Sequence, residues 1–189
     1  MLTDQDYPFY KLLILFLVSI FSNVFSAISG GGAGLIQLPA LLLFGIPYYQ
    51  ALAIHKFATV ALGIGGSLRN FRFYNSDLLI ILILLFIGIP GVLVGSSLVM
   101  IISNNFLYLI IGLLSIFLGS YSLTKPDLGL TRINKNIDFI IWIKFNVFVF
   151  IIGMLNGSIS SGTGLLVSIL LIKTFGLYFL RAISITFFV

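Results

Sequence analysis

Charge is what this chain has least of. Asp, Glu, Lys and Arg together make up 8% of its 189 residues, where soluble domains carry about a quarter. Two stretches, residues 12–54 and 78–124, contain none of the four. One bilayer crossing takes about 20 apolar residues to cover about 30 Å of hydrocarbon, so each stretch is long enough to cross more than once. That excludes a water-soluble fold. Cysteine is absent altogether, which excludes disulfides, cysteine metal sites and a thiol nucleophile. Basic residues exceed acidic ones by five, but they are scattered through short loops and apolar segments, forming no stripe that would follow a nucleic acid.

Hydrophobic residues are what remains, at 60% of the chain. The expected fold is an all-α membrane protein, a polytopic helical bundle in one integral membrane domain over residues 1–189. Polar punctuation places helices at Phe9–Ser29, Tyr48–Leu68, Leu78–Ile102, Phe106–Thr124 and Phe139–Leu155, and another beginning near Leu177. The first is too long for a signal-peptide core and has no clear cleavage site, so it is expected to be retained. Short apolar segments, Leu35–Phe44 and Leu165–Thr174, follow two stretches rich in small residues, Gly30–Gly34 and Asn156–Gly164. Irregular backbone at membrane depth is tolerated only inside protein or beside a water-filled cavity, which makes both breaks candidate sites. Close helix packing is the other use of such glycines.

The breaks are copies of one another. With Gly34 set against Gly164, an offset of 130 residues that becomes 131 after Lys173, Gly32, Gly34, Gly45, Ala51 and Ile54 match Gly162, Gly164, Gly176, Ala182 and Ile185. A helix, a small-residue break, a short helix and a further helix, used twice, is the pattern of transporters built from internal repeats with discontinuous helices. The first repeat spans residues 9–124 and an incomplete second one 139–189.

The stretch from Ser26 to Asp77, with its glycine break, Gly45-Ile46-Pro47, Ala51-Leu52-Ala53-Ile54-His55-Lys56 and Leu68-Arg69-Asn70-Phe71-Arg72, resembles the first half of the sulfite exporter TauE/SafE family of membrane transporters. Asn156–Phe188 resembles the corresponding part of the second half. The resemblance implies a multi-pass carrier of the cell's inner or plasma membrane, made of two related halves, moving anions such as sulfite and organosulfonates. It also implies two further helices after Val189, so the chain is expected to be a truncated product. The second break departs from the first by placing Ser160, Ser161 and Thr163 where the first has Gly30, Gly31 and Ala33.

Loop charge orients the chain. Arg69 and Arg72 lie in one loop and Lys125, Arg132 and Lys135 in another, with the uncharged Ser103-Asn104-Asn105 between them. The positive-inside rule puts both basic loops in the cytoplasm. If the short segment after each break crosses, each half has five crossings and the halves are inverted; if it is re-entrant, each has four and they are parallel. The inverted arrangement fits the loop charges better and is expected, with the N-terminus, carrying Asp4 and Asp6, outside.

A charge at the bilayer centre costs several kcal/mol, so an ionisable residue inside a span marks a site. At about 1.5 Å per residue from Pro47, Lys56 falls near the midplane. His55 beside it titrates near neutrality when unperturbed and is the candidate for coupling protons to transport. No carboxylate lies in any apolar segment to pair Lys56, so the expected counter-charge is a small anionic substrate. Helix N-termini after Gly34 and Gly164 would direct backbone N–H groups at it. The substrate site is therefore expected at Gly31, Gly32, Gly34, His55, Lys56, Ser160, Ser161, Thr163 and Gly164. Lys144 and Lys173 lie close enough to membrane faces to snorkel. No metal or cofactor is called for. An intramembrane enzyme is disfavoured, because the one histidine stands in the other half from the serine-rich turn and no acid pair exists. The alternative to a carrier is a non-transporting accessory membrane protein or an inactive fragment.

Overall fold

In hydrocarbon a backbone must satisfy its own hydrogen bonds, and a chain this apolar does so by forming helices. The computed structural model describes residues 8–70, 74–133 and 136–189, with the backbone alone at 74–76. Asp4, Asp6, Arg72 and Lys135, used above to orient the chain, lie outside the described residues. The regular structure consists of α1 (Phe9–Ser29), α2 (Ala33–Leu43), α3 (Tyr48–Asn70), α4 (Tyr74–Val99), α5 (Asn104–Thr124), α6 (Phe139–Ser158), α7 (Thr163–Phe175) and α8 (Phe179–Thr186). Five of these, α1, α3, α4, α5 and α6, are long and apolar enough to cross a membrane. Their outward faces are lined with large apolar side chains, among them Phe16, Phe57, Phe86 and Phe117. Such faces are stable against lipid and not against water. The chain is a multi-pass membrane protein.

Two helices run further than the polar punctuation suggested, while α4 starts earlier, at Tyr74, and stops at Val99, short of the expected Ile102. Inside a protein that satisfies its side chains, α3 continues through Asn70, whose amide donates to the Gly66 carbonyl at 2.8 Å. Likewise α6 continues to Ser158, whose hydroxyl donates to the Met154 carbonyl at 2.9 Å. The irregular backbone therefore shrinks to Gly30–Gly32 and 159–162, and Gly34 falls inside the first turn of α2. Helix α8 begins at Phe179, two residues after the expected Leu177.

Two cores hold the bundle. Leu38, Leu41, Tyr48, Ala51, Leu107 and Ile111 join α2, α3 and α5. Ile81, Leu84, Phe145, Val149, Leu171 and Ala182 join α4, α6, α7 and α8. Helices α4 and α6 pack extensively on each other through small residues. A Cβ added at Gly153 would lie 2.5 Å from the Gly88 carbonyl oxygen, and one at Gly91 would strike the backbone of Phe150. This is the close backbone approach that membrane helices use where hydrophobic burial supplies little net attraction.

A polar seam ties α8 to the end of α3 and the start of α4. Asp77 is not in a loop, as the sequence suggested, but in the first turn of α4, 4% exposed, where it accepts two hydrogen bonds from Nε of Arg181 at 3.0 and 3.2 Å and one from the Nη2 group. The Ser184 hydroxyl lies 3.1 Å from Oδ1 of Asn70, and that of Ser67 donates to the Phe187 carbonyl at 2.7 Å.

Candidate functional site

Two helices start where the breaks end, and the starts meet. Gly30 closes α1 in the left-handed conformation at φ 80°, and Gly31 and Gly32 follow at φ 121° and 99° before α2 begins. In the second break the left-handed positions are Ser160 at φ 60° and Gly162 at φ 72°. A side chain at Gly31 would put its Cβ 2.5 Å from the carbonyl carbon of Gly164 and the amide nitrogen of Leu165, so the two backbones touch there. Leu165 is the third residue of α7, where a helix leaves backbone N–H groups without an internal acceptor. Gly34, the second residue of α2, packs on the Ser161 backbone and the Ser160 carbonyl oxygen, where a Cβ would come within 2.9 and 3.1 Å.

Position 30 and position 160 correspond in the repeat, and each presents its carbonyl to the other half. The Ser168 hydroxyl on α7 donates to the Gly30 carbonyl at 3.0 Å. On the other side, Nε2 of His55 on α3 and the Ser160 carbonyl oxygen both face Gly34, where a Cβ would lie 2.8 and 3.1 Å from them. Behind these groups stand two equally spaced pairs, Gln37 with His55 at 2.8 Å and Ser168 with Thr186 at 3.0 Å, each 18 residues apart.

A cavity of about 740 Å³ opens from this junction along α3, α4 and α6. Gly31, Gly32, Gly34, His55, Lys56, Ser160, Thr163 and Gly164 line it, so the structure gathers eight of the nine residues singled out from sequence. Ser161 is the exception. It lies behind the wall, fully buried, and its hydroxyl has no hydrogen-bond partner among the described residues.

Lys56 reaches across the cavity wall to the other half. Its Nζ donates to the Asn156 carbonyl at 3.0 Å, near the C-terminal end of α6, where helix carbonyls and the helix dipole favour a cation. A neutral carbonyl, not a carboxylate, thus holds the ammonium. The amide oxygen of Asn156 collects the hydroxyls of Ser160 at 3.1 Å and Thr163 at 3.2 Å. These hydroxyls are engaged with protein and not free for a ligand in this conformation. Lys144 is exposed on α6, and Nζ of Lys173 stands 4.9 Å above the ring of Tyr121.

This geometry sits in a chain whose sequence matches the profile of the sulfite exporter TauE/SafE family over residues 15–189. The chain belongs to that family. It is 28% identical over 161 residues to a probable membrane transporter protein, ORF9, of Sinorhizobium, covering 85% of this chain and 60% of that protein. A probable membrane transporter protein of Haemophilus influenzae is 30% identical over 169 residues, covering 87% of this chain and 64% of the relative. The chain thus spans less than two thirds of the length of these curated relatives. No solved structure matches it significantly.

In this TauE/SafE family chain, sequence reasoning passed over Gln37, Asn156 and Ser168. A signal existed for Gln37, which is the one amide in an otherwise apolar short helix and is 1% exposed. A polar side chain at such a position needs partners, and it has them in His55 and, at 2.7 Å, the Ser19 hydroxyl. Asn156 and Ser168 look ordinary in sequence, because their importance lies in carbonyl and hydroxyl contacts made over long sequence separations.

Proposed function

We propose that this chain is a carrier of small inorganic or organic anions, with sulfite and organosulfonates as the first class to test. The observation that carries this reading is the position of Lys56: an ammonium held by a backbone carbonyl of α6, in a cavity that the starts of α2 and α7 also line and whose described lining contains no carboxylate. Helix N-termini favour an anion beside them, and Lys56 supplies a positive charge in the same cavity. Transporters with broken helices bind anionic groups in this way. The contact of Ser168 with Gly30 and the approach of His55 and Ser160 at Gly34 support two inverted halves that rock about the junction by alternating access. Catalysis is a weaker reading, since among the described hydrogen bonds none joins His55 to a serine hydroxyl of the second break, so no nucleophile and base are paired.

The test is uptake of radiolabelled sulfite, thiosulfate and organosulfonates into liposomes containing the purified chain. Saturable flux of at least one of them, competed by the others, is the expected result. Absence of both flux and anion binding would overturn the carrier reading and leave an accessory membrane protein.

A further inference from the structure

His55 has a hydrogen-bond acceptor at Nδ1, and the Ser160 carbonyl stands on the side of Nε2. The ring is 2% exposed, and Nδ1 lies 2.8 Å from the amide oxygen of Gln37. Nε2 is on the side of the second break, since a Cβ built on Gly34 would lie 2.8 Å from Nε2 and 3.1 Å from the Ser160 carbonyl oxygen. A neutral imidazole has one N–H and can donate to only one of these acceptors, whereas the imidazolium donates to both. The neutral ring is accommodated if the Gln37 amide turns over. Its NH2 group then donates to Nδ1, its oxygen accepts from the Ser19 hydroxyl, which lies 2.7 Å from Gln37 Nε2, and Nε2–H of His55 is turned to the side of the Ser160 carbonyl. Ser19, Gln37 and His55 therefore fit both charge states of the ring without giving up a contact.

We propose that His55, held between Gln37 and the Ser160 carbonyl, is a proton-binding site that fills together with the anion, so that each anion crosses with one proton. The proposal rests on the anion-carrier reading above and adds its coupling ion. Lys56 is the next residue in the chain, and the other ionisable groups of α3 are Tyr48, Tyr49 and Arg69. The second break and α2 contain no ionisable residue. On the neighbouring helices the ionisable groups are Tyr10 and Lys11 at the start of α1, Lys144 on α6, Lys173 on α7 and Arg181 on α8, the last paired with Asp77. A proton on His55 with the cavity empty sets two positive charges side by side at membrane depth, which is costly. An anion at the junction removes that cost. Proton and anion then raise each other's affinity by one common factor, as linkage requires. The proton enters from the water of the cavity to the ring and leaves from the ring on the other side, with no bond of the anion broken.

The chain has a single histidine, so protein labelled with 15N-histidine shows one imidazole in the NMR spectrum. In nanodiscs, saturating methanesulfonate, which stays ionised across the range studied, is expected to raise the proton affinity of that ring about tenfold. Gln37→Met cannot satisfy Nδ1, and it should reduce this coupling to less than twofold. Gln37→Glu, whose carboxylate accepts from the imidazolium and cannot donate to the neutral ring, should hold the proton without anion and shrink the response as well. Binding of radiolabelled methanesulfonate, thiosulfate and sulfite is measured on the same samples. If anions bind and the ring's protonation does not respond, the proton site is refuted while the anion carrier stands. If none of the three anions binds, both are refuted. Equal coupling in the wild type and Gln37→Met would remove Gln37 from the site.

Discussion

The hydroxyl of Ser168, on α7, donates to the carbonyl of Gly30 at the end of α1, 3.0 Å away and 138 residues earlier in the chain. Through this bond the second half holds the last helical turn before the first break. On the opposite side, Nε2 of His55 and the Ser160 carbonyl oxygen both flank Gly34 of the first half. The properties of this junction are open to direct test.

The close approach of the breaks depends on Gly31. Its φ of 121° is one that side-chain-bearing residues rarely adopt, and a Cβ there would meet backbone atoms at 2.5 Å, with no flexible side chain to move aside. Gly31→Ala is expected to cost about 1–3 kcal/mol from strain and overpacking together. Thermal unfolding in detergent should show a lowered midpoint. Gly65, with nothing near its Cβ position, provides the control, where alanine should be tolerated. Equal midpoints for the two variants would contradict the packing of the junction.

Lys56 tests the sign of the substrate. Lys56→Gln keeps a polar head at similar length and removes the charge, so anion uptake should be abolished while membrane insertion and expression persist. Lys56→Arg keeps the charge but replaces a compact ammonium with a planar fork, and partial uptake is expected. Normal transport by the Gln variant would reduce Lys56 to a cap on α6.

The seam between Asp77 and Arg181 is expected to stabilise the docking of α8. Hydrogen bonds to a charged partner contribute about 1.5–3 kcal/mol, and Arg181 is 32% exposed, which places its contribution at the lower end. Arg181→Gln should lower the unfolding midpoint and expose α8 to proteolysis. Exchanging the two residues, with Asp77→Arg and Arg181→Asp together, should recover part of the loss. An unchanged midpoint in Arg181→Gln would show that the ion pair with Asp77 does not hold α8.

Topology is accessible because the chain contains no cysteine. Single cysteines at Asn104 and Thr131, both exposed and separated by the crossing of α5, should be labelled from opposite sides of the membrane. The basic loop containing Thr131 is expected on the cytoplasmic side. Labelling of both from one side would require α5 not to cross.

The amino-acid sequence by itself determined that the chain lives in a membrane, roughly where its helices lie, and that a glycine-rich break recurs about 130 residues on. These are consequences of composition and spacing, which hydrocarbon enforces with little help from tertiary contacts. It also put Lys56, His55 and both breaks forward as a site, because polar groups inside apolar runs stand out. What it could not reveal was partnership. Lys56 was expected to lack a carboxylate partner, and what no pattern could mark is the backbone carbonyl 100 residues away that accepts from it, since every residue carries such a carbonyl. Asp77 looked like a loop residue until Arg181 drew it into α4's first turn, and the hydroxyls of Ser160 and Thr163 proved to be engaged by Asn156. Only the tertiary structure decided these pairings, since a hydrogen bond needs its donor and acceptor within about 3 Å and that proximity arises only when both halves have packed.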